Sequence, residues 1–440
     1  MTEIQIGLGA IVLMILLIQA GMHVAIVLMG LSFVSVWMIK ENINVAGSLI
    51  AKSAETAIAS YNFGVIPLFV VMGLLVSVTG MGRDTFDVAG QVFRHMRGGL
   101  GMATVAANAV FAAINGTSIA SASVFTKLAV PELMRLGYTP RFAVGVVAGS
   151  SVLGMLIPPS LLLIVFGIIA EVSIGALFTA GIVPGLLLAG AYAVTISLLI
   201  RFFPTFVTRD GLTDNAGRDL LPSGELVVKM IPVAVLILIV LGGIYGGVFT
   251  PVEAGGVGAL GALVIAFAKR RLTLRMLWEV LVETGYVTAA ISFLIISAHM
   301  YANMLALSRL PNVLGSWIDA ADLSIGVLIV LYLVLIVLLG TILDAVSIML
   351  ITLPLVMPVM LGADINLVWF GIITIIAVEI GLLTPPLGIA VFVIKTNLSD
   401  TNITLNDIFI GAFPFALTML VVLALVTAFP QIALFLVEAI

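Results

Sequence analysis

Not one cysteine occurs in the 440 residues, only 9% of them carry charge, and histidine appears three times. Without cysteine there are no disulfides and no thiolate metal sites, whatever the compartment. So little charge excludes an ordinary soluble domain, whose charged share is about 25%. There is no metal-spaced histidine cluster, no Gly-rich loop closing on Gly-Lys-Ser/Thr and no His-Glu-x-x-His. The chain therefore carries no Walker-type nucleotide site and no zincin site. With a formal net charge of −4, nothing points to nucleic acid. The chain is not read as an enzyme.

What is present is apolar: 62% of the residues are hydrophobic. About 20 apolar residues cross a bilayer core as a helix, so the chain reads as an all-α polytopic membrane protein. Simple spans are expected at 4–20, 24–39, 63–80, 182–200, 231–247, 252–268, 280–305 and 406–429. The first apolar run continues past Gly21-Met22-His23 into more apolar sequence and reads as a span rather than a cleaved signal.

Four other segments are interrupted. SSVLGMLIPPSLLLIVFG (150–167) and AVEIGLLTPPLGIAVFVI (377–394) nearly repeat each other. Superposing Pro158-Pro159 on Pro385-Pro386 also aligns Gly154 with Gly381 and Pro131 with Pro358. Proline removes a backbone donor and clashes with the turn before it, so 142–170 and 367–395 should be broken helices. Each follows an apolar stretch, 99–130 or 323–357, divided by a polar, glycine-containing break, Asn115-Gly116-Thr117-Ser118 or Gly340-Thr341. These read as re-entrant helical hairpins. Broken backbone is tolerated at membrane depth only where protein or a wet cavity receives it, and paired interruptions mark a secondary transporter's binding site.

Basic residues set orientation, because short cytoplasmic loops are enriched in them. Lys269, Arg270, Arg271 and Arg275 form the strongest cluster, expected to hold anionic lipid heads. Counting spans from it places Arg201, Arg209, Arg218 and Lys229 on the same side, with Lys127, Arg135, Arg141, Arg83, Arg94 and Arg97. All agree only if 99–130 enters and leaves from the cytoplasm, and 323–357 from the opposite side. The expected architecture is two inverted repeats, 1–200 and 231–440, joined by a cytoplasmic linker, 201–230. Each holds three spans, a hairpin, a broken helix and a final span. Segment 48–61 is amphipathic and should lie along the outer interface.

At each break unpaired carbonyls and hydroxyls form an oxygen cage suited to a hard monovalent cation, while helix N-termini offer donors to an anion. The candidate pairs are Asn115–Ser121 with Gly149–Ser160, and Gly340–Asp344 with Gly381–Gly388. Thr117, Ser118, Ser121, Ser123 and Thr384 supply oxygens, although serine and threonine also simply glue membrane helices together. An intramembrane acid is a functional candidate by default. Asp344 is placed to meet a cation or substrate, whereas Glu379 reads equally as a structural partner to a donor. Glu253 should anchor a helix N-terminus, and His299, alone in a span, reads as packing. Gly255-Gly256-Val257-Gly258 should permit close approach of a neighbour, either the same chain or a partner.

The stretches VIPLFVVMGLLVSVTGM (65–81), NGTSIASASVFTKLAVPELMRLGY (115–138), GMLIPPS (154–160), YGGVFTPVEAGGVGA (245–259) and GLLTPPLG (381–388) resemble the large membrane subunit of the tripartite ATP-independent periplasmic (TRAP) transporters, DctM-like. The resemblance spans nearly the whole chain. It implies a bacterial inner-membrane permease of the ion-transporter superfamily, which moves substrate and sodium by an elevator-type motion. It also implies two partners: a separate small four-helix membrane subunit (DctQ-like), since none is fused ahead of Met1, and a periplasmic substrate-binding protein (DctP-like). The only coupling species implied is Na+. The family's sodium sites fall on Asn115, Ser118, Gly154, Ile157 and Pro159, and on Gly340, Gly381, Thr384 and Leu387; Ile157, Pro159 and Leu387 could offer only carbonyls. Substrate is expected at Asn115, Thr117, Ser121 and Asp344. Many sialic-acid-type relatives carry Asp where this chain has Ser121, which argues against sialic acid and for a small dianion such as malate, succinate or fumarate. Two rival readings stand beside this one. One is a stand-alone anion symporter or exchanger of the same architecture without a soluble receptor. The other is a channel or intramembrane enzyme, for which no catalytic pair lies at matching depth.

Overall fold

The computed structural model describes residues 2–208, 221–321, 323–398 and 402–439. The expected linker is therefore only partly described, and Arg209 and Arg218 lie outside the described residues. In chain order the helices are α1 (Glu3–Gln19), α2 (Val24–Lys40), α3 (Ile43–Ala59), α4 (Val65–Val78), α5 (Met81–Val92), α6 (Gly99–Asn115), α7 (Ser118–Arg135), α8 (Pro140–Ser151), α9 (Leu153–Leu156), α10 (Leu161–Ile169) and α11 (Ile174–Phe202). They continue as α12 (Pro204–Val207), α13 (Ser223–Tyr245), α14 (Pro251–Ala268), α15 (Leu274–Ser308), α16 (Leu310–Ala320), α17 (Ile325–Gly340), α18 (Ala345–Gly362), α19 (Leu367–Leu383), α20 (Ile389–Asn397), α21 (Leu405–Ala428) and α22 (Gln431–Ala439). Among the described residues seven helices are long and apolar enough to cross a membrane, and the pair Pro140–Leu156 and Leu161–Ile169, bent by 42°, makes an eighth. The chain is an all-α polytopic membrane protein.

Local chemistry sets the helix starts. Thr250 and Glu253 close a capping box on α14, with Pro251 at its first position, so Glu253 is the anchor its position suggested. Thr404 and Asp407 do the same for α21, and Thr139 with Pro140 opens α8. The amphipathic segment begins earlier than expected, at Ile43, where Asn42 caps it.

Glycine sets how close the helices come. A Cβ on Gly258 would fall 2.5 Å from Met72 Sδ and 2.7 Å from Val240, and one on Gly255 would fall 3.0 Å from Leu68. The glycine face of α14 is thus filled by α4 and α13 of the same chain. A Cβ on Gly145 of α8 would lie 2.1 Å from the Gly411 carbonyl oxygen of α21, so these two backbones touch. Arg141 and Asp407 close the same crossing at 2.7 Å.

One expectation changes here. Lys269 and Arg271 do not simply face lipid: both reach Asp84 of α5, at 2.7 Å and 3.1 Å. The simple spans α11 and α21 pack on each other, and α21 packs on the second broken helix. Thr195 and Thr418 share a hydrogen bond at 2.6 Å, Tyr192 meets Phe415 edge-on at 5.5 Å, and Trp369 of α19 donates to the Val426 carbonyl at 2.8 Å.

Candidate functional site

The first hairpin turns at Gly116, whose φ of +73° suits glycine. Space demands glycine there too, since a Cβ would lie 2.6 Å from the Pro159 carbonyl oxygen. Asn115 ends α6, nearly buried, and its amide donates to the Thr117 carbonyl and hydroxyl, both at 3.2 Å. Thr117 caps α7, its hydroxyl accepting from Ala120 N–H at 3.3 Å. Opposite lies the proline break. Ile157 ends α9 in extended conformation, and Ser160 caps α10 while donating to the Met155 carbonyl at 2.5 Å. Two contacts join hairpin to break. Leu161 N–H donates to the Gly116 carbonyl at 3.0 Å, and a Cβ on Gly154 would meet the Thr117 carbonyl oxygen at 2.6 Å. Beside them a void of about 20 Å³ is lined by Phe69, Asn115, Gly116, Thr117, Pro159 and Leu161, room for one water-sized species.

The second junction is built alike. A Cβ on Gly340 would lie 2.7 Å from the Gly381 Cα. Thr384 ends α19, with its N–H on the Gly381 carbonyl at 2.9 Å and its hydroxyl on the Ile380 carbonyl at 2.7 Å. Past the prolines, Leu387 and Gly388 N–H both point at the Thr341 carbonyl, at 3.1 Å and 3.4 Å. Thr341 lies in the expected tip without having been singled out, and its carbonyl matches that of Gly116 in the first junction. Each final half-helix has nine residues, about 14 Å at 1.5 Å per residue, about half the length needed to cross the hydrocarbon core. The junctions differ in exposure. Ile157 to Ser160 is buried, whereas Pro385, Pro386 and Leu387 are open.

Most expected residues meet in these two places: Asn115, Ser118, Gly154, Ile157 and Pro159 in one, Gly340, Gly381, Thr384 and Leu387 in the other. Asp344 is spent on a local task, capping α18 by accepting from the Ser347 backbone at 3.1 Å and from its hydroxyl. Ser121 is fully enclosed with its hydroxyl unpartnered, so it does not face an open cavity. The junctions also touch each other. Ser118 Oγ donates to Glu379 Oε1 at 3.3 Å, and Ser123 Oγ donates to Asn397 Oδ1 at 2.9 Å. Elsewhere His299 lines a cleft of about 210 Å³ with Ala170, Glu171, Ala302 and Met357, between α15 on one side and α10 and α18 on the other.

The model of the DctM component of the tripartite ATP-independent periplasmic transporters matches residues 11–432. The chain belongs to this family. A C4-dicarboxylate TRAP transporter large permease protein DctM of Pseudomonas aeruginosa is 33% identical over 388 residues, 88% of each chain. Its namesake in Rhodobacter capsulatus is 30% identical over 437 residues, 96% of each. The sialic acid TRAP transporter large permease SiaM of Vibrio cholerae is 31% identical over 85% of each. Among solved structures the YdaH transporter of Alcanivorax borkumensis superposes with a TM-score of 0.59 at 16% identity, covering 84% of this chain and 86% of that one, a likeness of fold. A DctM-family permease with these spans is a multi-pass protein of the bacterial inner membrane.

Proposed function

We propose that this TRAP large permease subunit imports small organic acids, four-carbon dicarboxylates foremost, in symport with sodium. The observation that carries the reading is the pair of tip–break junctions. Each brings glycine-lined backbone, carbonyls and a hydroxyl together inside the bilayer, and irregular backbone there belongs to a substrate or ion path. The cation residues are Asn115, Ser118, Gly154, Ile157 and Pro159 at the first, and Gly340, Gly381, Thr384 and Leu387 at the second. Asn115, Thr117, Ser121 and Asp344 remain the substrate candidates, of which Thr117 and Asp344 are partly open.

The dicarboxylate assignment draws on relatives at 33% and 30% identity that are named for it. Others are named for sialic acid, isethionate and 2,3-diketo-L-gulonate. Importing a dianion against an inside-negative potential costs about 2.3 kcal/mol per charge per 100 mV. Two sodium ions balance that charge, and a third makes the cycle electrogenic. The architecture proposed is two inverted repeats, 1–200 and 231–440. Its hairpins and broken helices cross the membrane as one body, with a separate small subunit and a periplasmic binding protein as partners.

Reconstituted uptake tests the reading. Labelled succinate should enter proteoliposomes only with a sodium gradient and only when the binding protein and small subunit are supplied. Full uptake on a proton gradient without sodium would overturn the coupling, and full uptake without a binding protein would make the permease a stand-alone symporter.

A further inference from the structure

Glu379 is the one side chain at the junctions whose chemistry the proposed function leaves unused. It lies on α19, fully buried. Its Oε1 accepts from Ser118 Oγ at 3.3 Å, while Oε2 is sealed from solvent with no hydrogen-bond partner. Among the described residues no lysine, arginine or histidine forms an ion pair with it. Its hydrogen-bond partner on another element is Ser118, the first residue of α7, whose backbone nitrogen lies 3.1 Å from where a Gly154 Cβ would sit. Tyr192 of α11 is also buried with an unpartnered hydroxyl.

A buried carboxyl with a bare oxygen either takes a proton or needs a positive charge beside it, and a glutamine variant separates the two. Here the carboxylate shares Ser118 with the first junction. We propose that Glu379 is the anionic partner of the monovalent cation held at the first junction, contributed by the opposite half of the chain. This rests on the sodium reading above and adds to it a residue from outside the first hairpin and its broken helix. Ser118 and backbone carbonyls are neutral, and the charge that makes a desolvated cation tolerable comes from α19. The cation in turn relieves a carboxylate that no basic side chain meets. Binding would then pin the first tip to α19, two residues from Gly381 of the second junction, so the first site is complete only when the two halves are assembled.

The test reads sodium binding without transport. The full-length protein in detergent is melted across a sodium chloride series, with choline chloride holding ionic strength constant. Wild type should gain thermal stability with sodium, and Ser118→Ala should need more sodium for the same gain. Glu379→Gln, which keeps the shape and the Ser118 contact, should raise the half-effective sodium concentration on the order of tenfold, as loss of a charged partner does. Combined with Ser118→Ala it should add little, because both act at one site. Combined with Thr384→Ala the effects should multiply, because the sites are separate. Glu379→Asp, which keeps the charge but withdraws it, should give a smaller shift and decides the matter if the glutamine variant does not fold. Glu379→Gln with the wild-type sodium midpoint, while Ser118→Ala shifts it, makes Glu379 a packing residue and overturns this proposal alone. A wild type that sodium does not stabilise at all overturns the sodium reading and this proposal with it.

Discussion

A single hydroxyl separates the second junction's two roles, holding a helix end and holding an ion. Thr384 Oγ donates to the Ile380 carbonyl at 2.7 Å, which occupies its proton and leaves its lone pairs able to accept. Thr384→Ala removes one oxygen ligand and should raise the sodium needed for half-maximal uptake several-fold, about 1 kcal/mol of binding, with unchanged protein yield. A sodium titration that overlays wild type would assign the hydroxyl to helix capping only. The lesson for reading sequence lies in which atoms are involved. Gly154, Gly381 and Thr384 were legible because glycine and proline disclose backbone geometry by their identity. The Thr341 carbonyl was not, because any residue can offer one and only the fold shows that Leu387 and Gly388 point at it. Glu379 was visible as an intramembrane acid, but its partner Ser118 lies 261 positions away, and no local pattern carries that pairing. Asp344 stood out for the same reason as Glu379, yet its carboxylate turns back to Ser347 as an ordinary helix cap, a pairing three residues apart that an Asp-x-x-Ser spacing does suggest.

Among the elements, the four interruptions were legible because a polar or Pro-Pro break in a long apolar run has few other solutions, and a helix ends at each of them. The short helix α5 was harder. Its basic flanks mark 83–97 as cytoplasmic, but the helix itself is announced only by Met81, Thr85, Val88 and Val92 at intervals of three to four. It lies between α4 and the first hairpin and is tied by charge to α13 and to the loop after α14. Asp84, its side chain 3% exposed, meets Lys269 and Arg271, and Arg271 also donates to the Thr79 carbonyl at the end of α4 at 3.0 Å. Asp87 meets Lys229 at 2.8 Å with both partners partly exposed. Losing Asp84 removes a buried acid that holds two cations, but Lys269 and Arg271 keep access to solvent, so the cost falls below the lower limit of about 3 kcal/mol for a fully buried pair and above the about 1 kcal/mol or less of an exposed one. Asp84→Asn should therefore lower the melting temperature clearly more than Asp87→Asn. Comparable losses would mean that Lys269 and Arg271 are held by solvent and lipid heads, as their sequence alone implied.

For the molecule as a whole, the question is which helices travel together. A split by sequence puts hairpins and broken helices on one side and every simple span on the other, because a simple span carries no mark of what it packs against. The packing argues for a different division. Backbone contact between Gly145 and Gly411 leaves no room for α8 to slide along α21, since close-packed interiors do not deform continuously. Thr195 and Thr418 join α11 to α21 in turn. If the junctions move, α11 and α21 should move with them, leaving α1 to α4 and α13 to α15 as the frame. The cleft lined by His299, Ala302 and Met357 then lies on the seam between the two bodies. The absence of native cysteine makes this directly testable. Thr195→Cys with Thr418→Cys, joined by a disulfide, should leave sodium-driven uptake nearly intact, because both residues ride on the same body. Ala302→Cys with Met357→Cys, bridged by a short bifunctional thiol reagent, should abolish uptake by locking body to frame, and an agent cleaving the bridge should restore it. If the Thr195–Thr418 crosslink stops uptake as completely as the seam crosslink, α11 and α21 must shift against each other during transport. The moving body would then be the four interrupted elements alone, sliding past the Gly145–Gly411 contact.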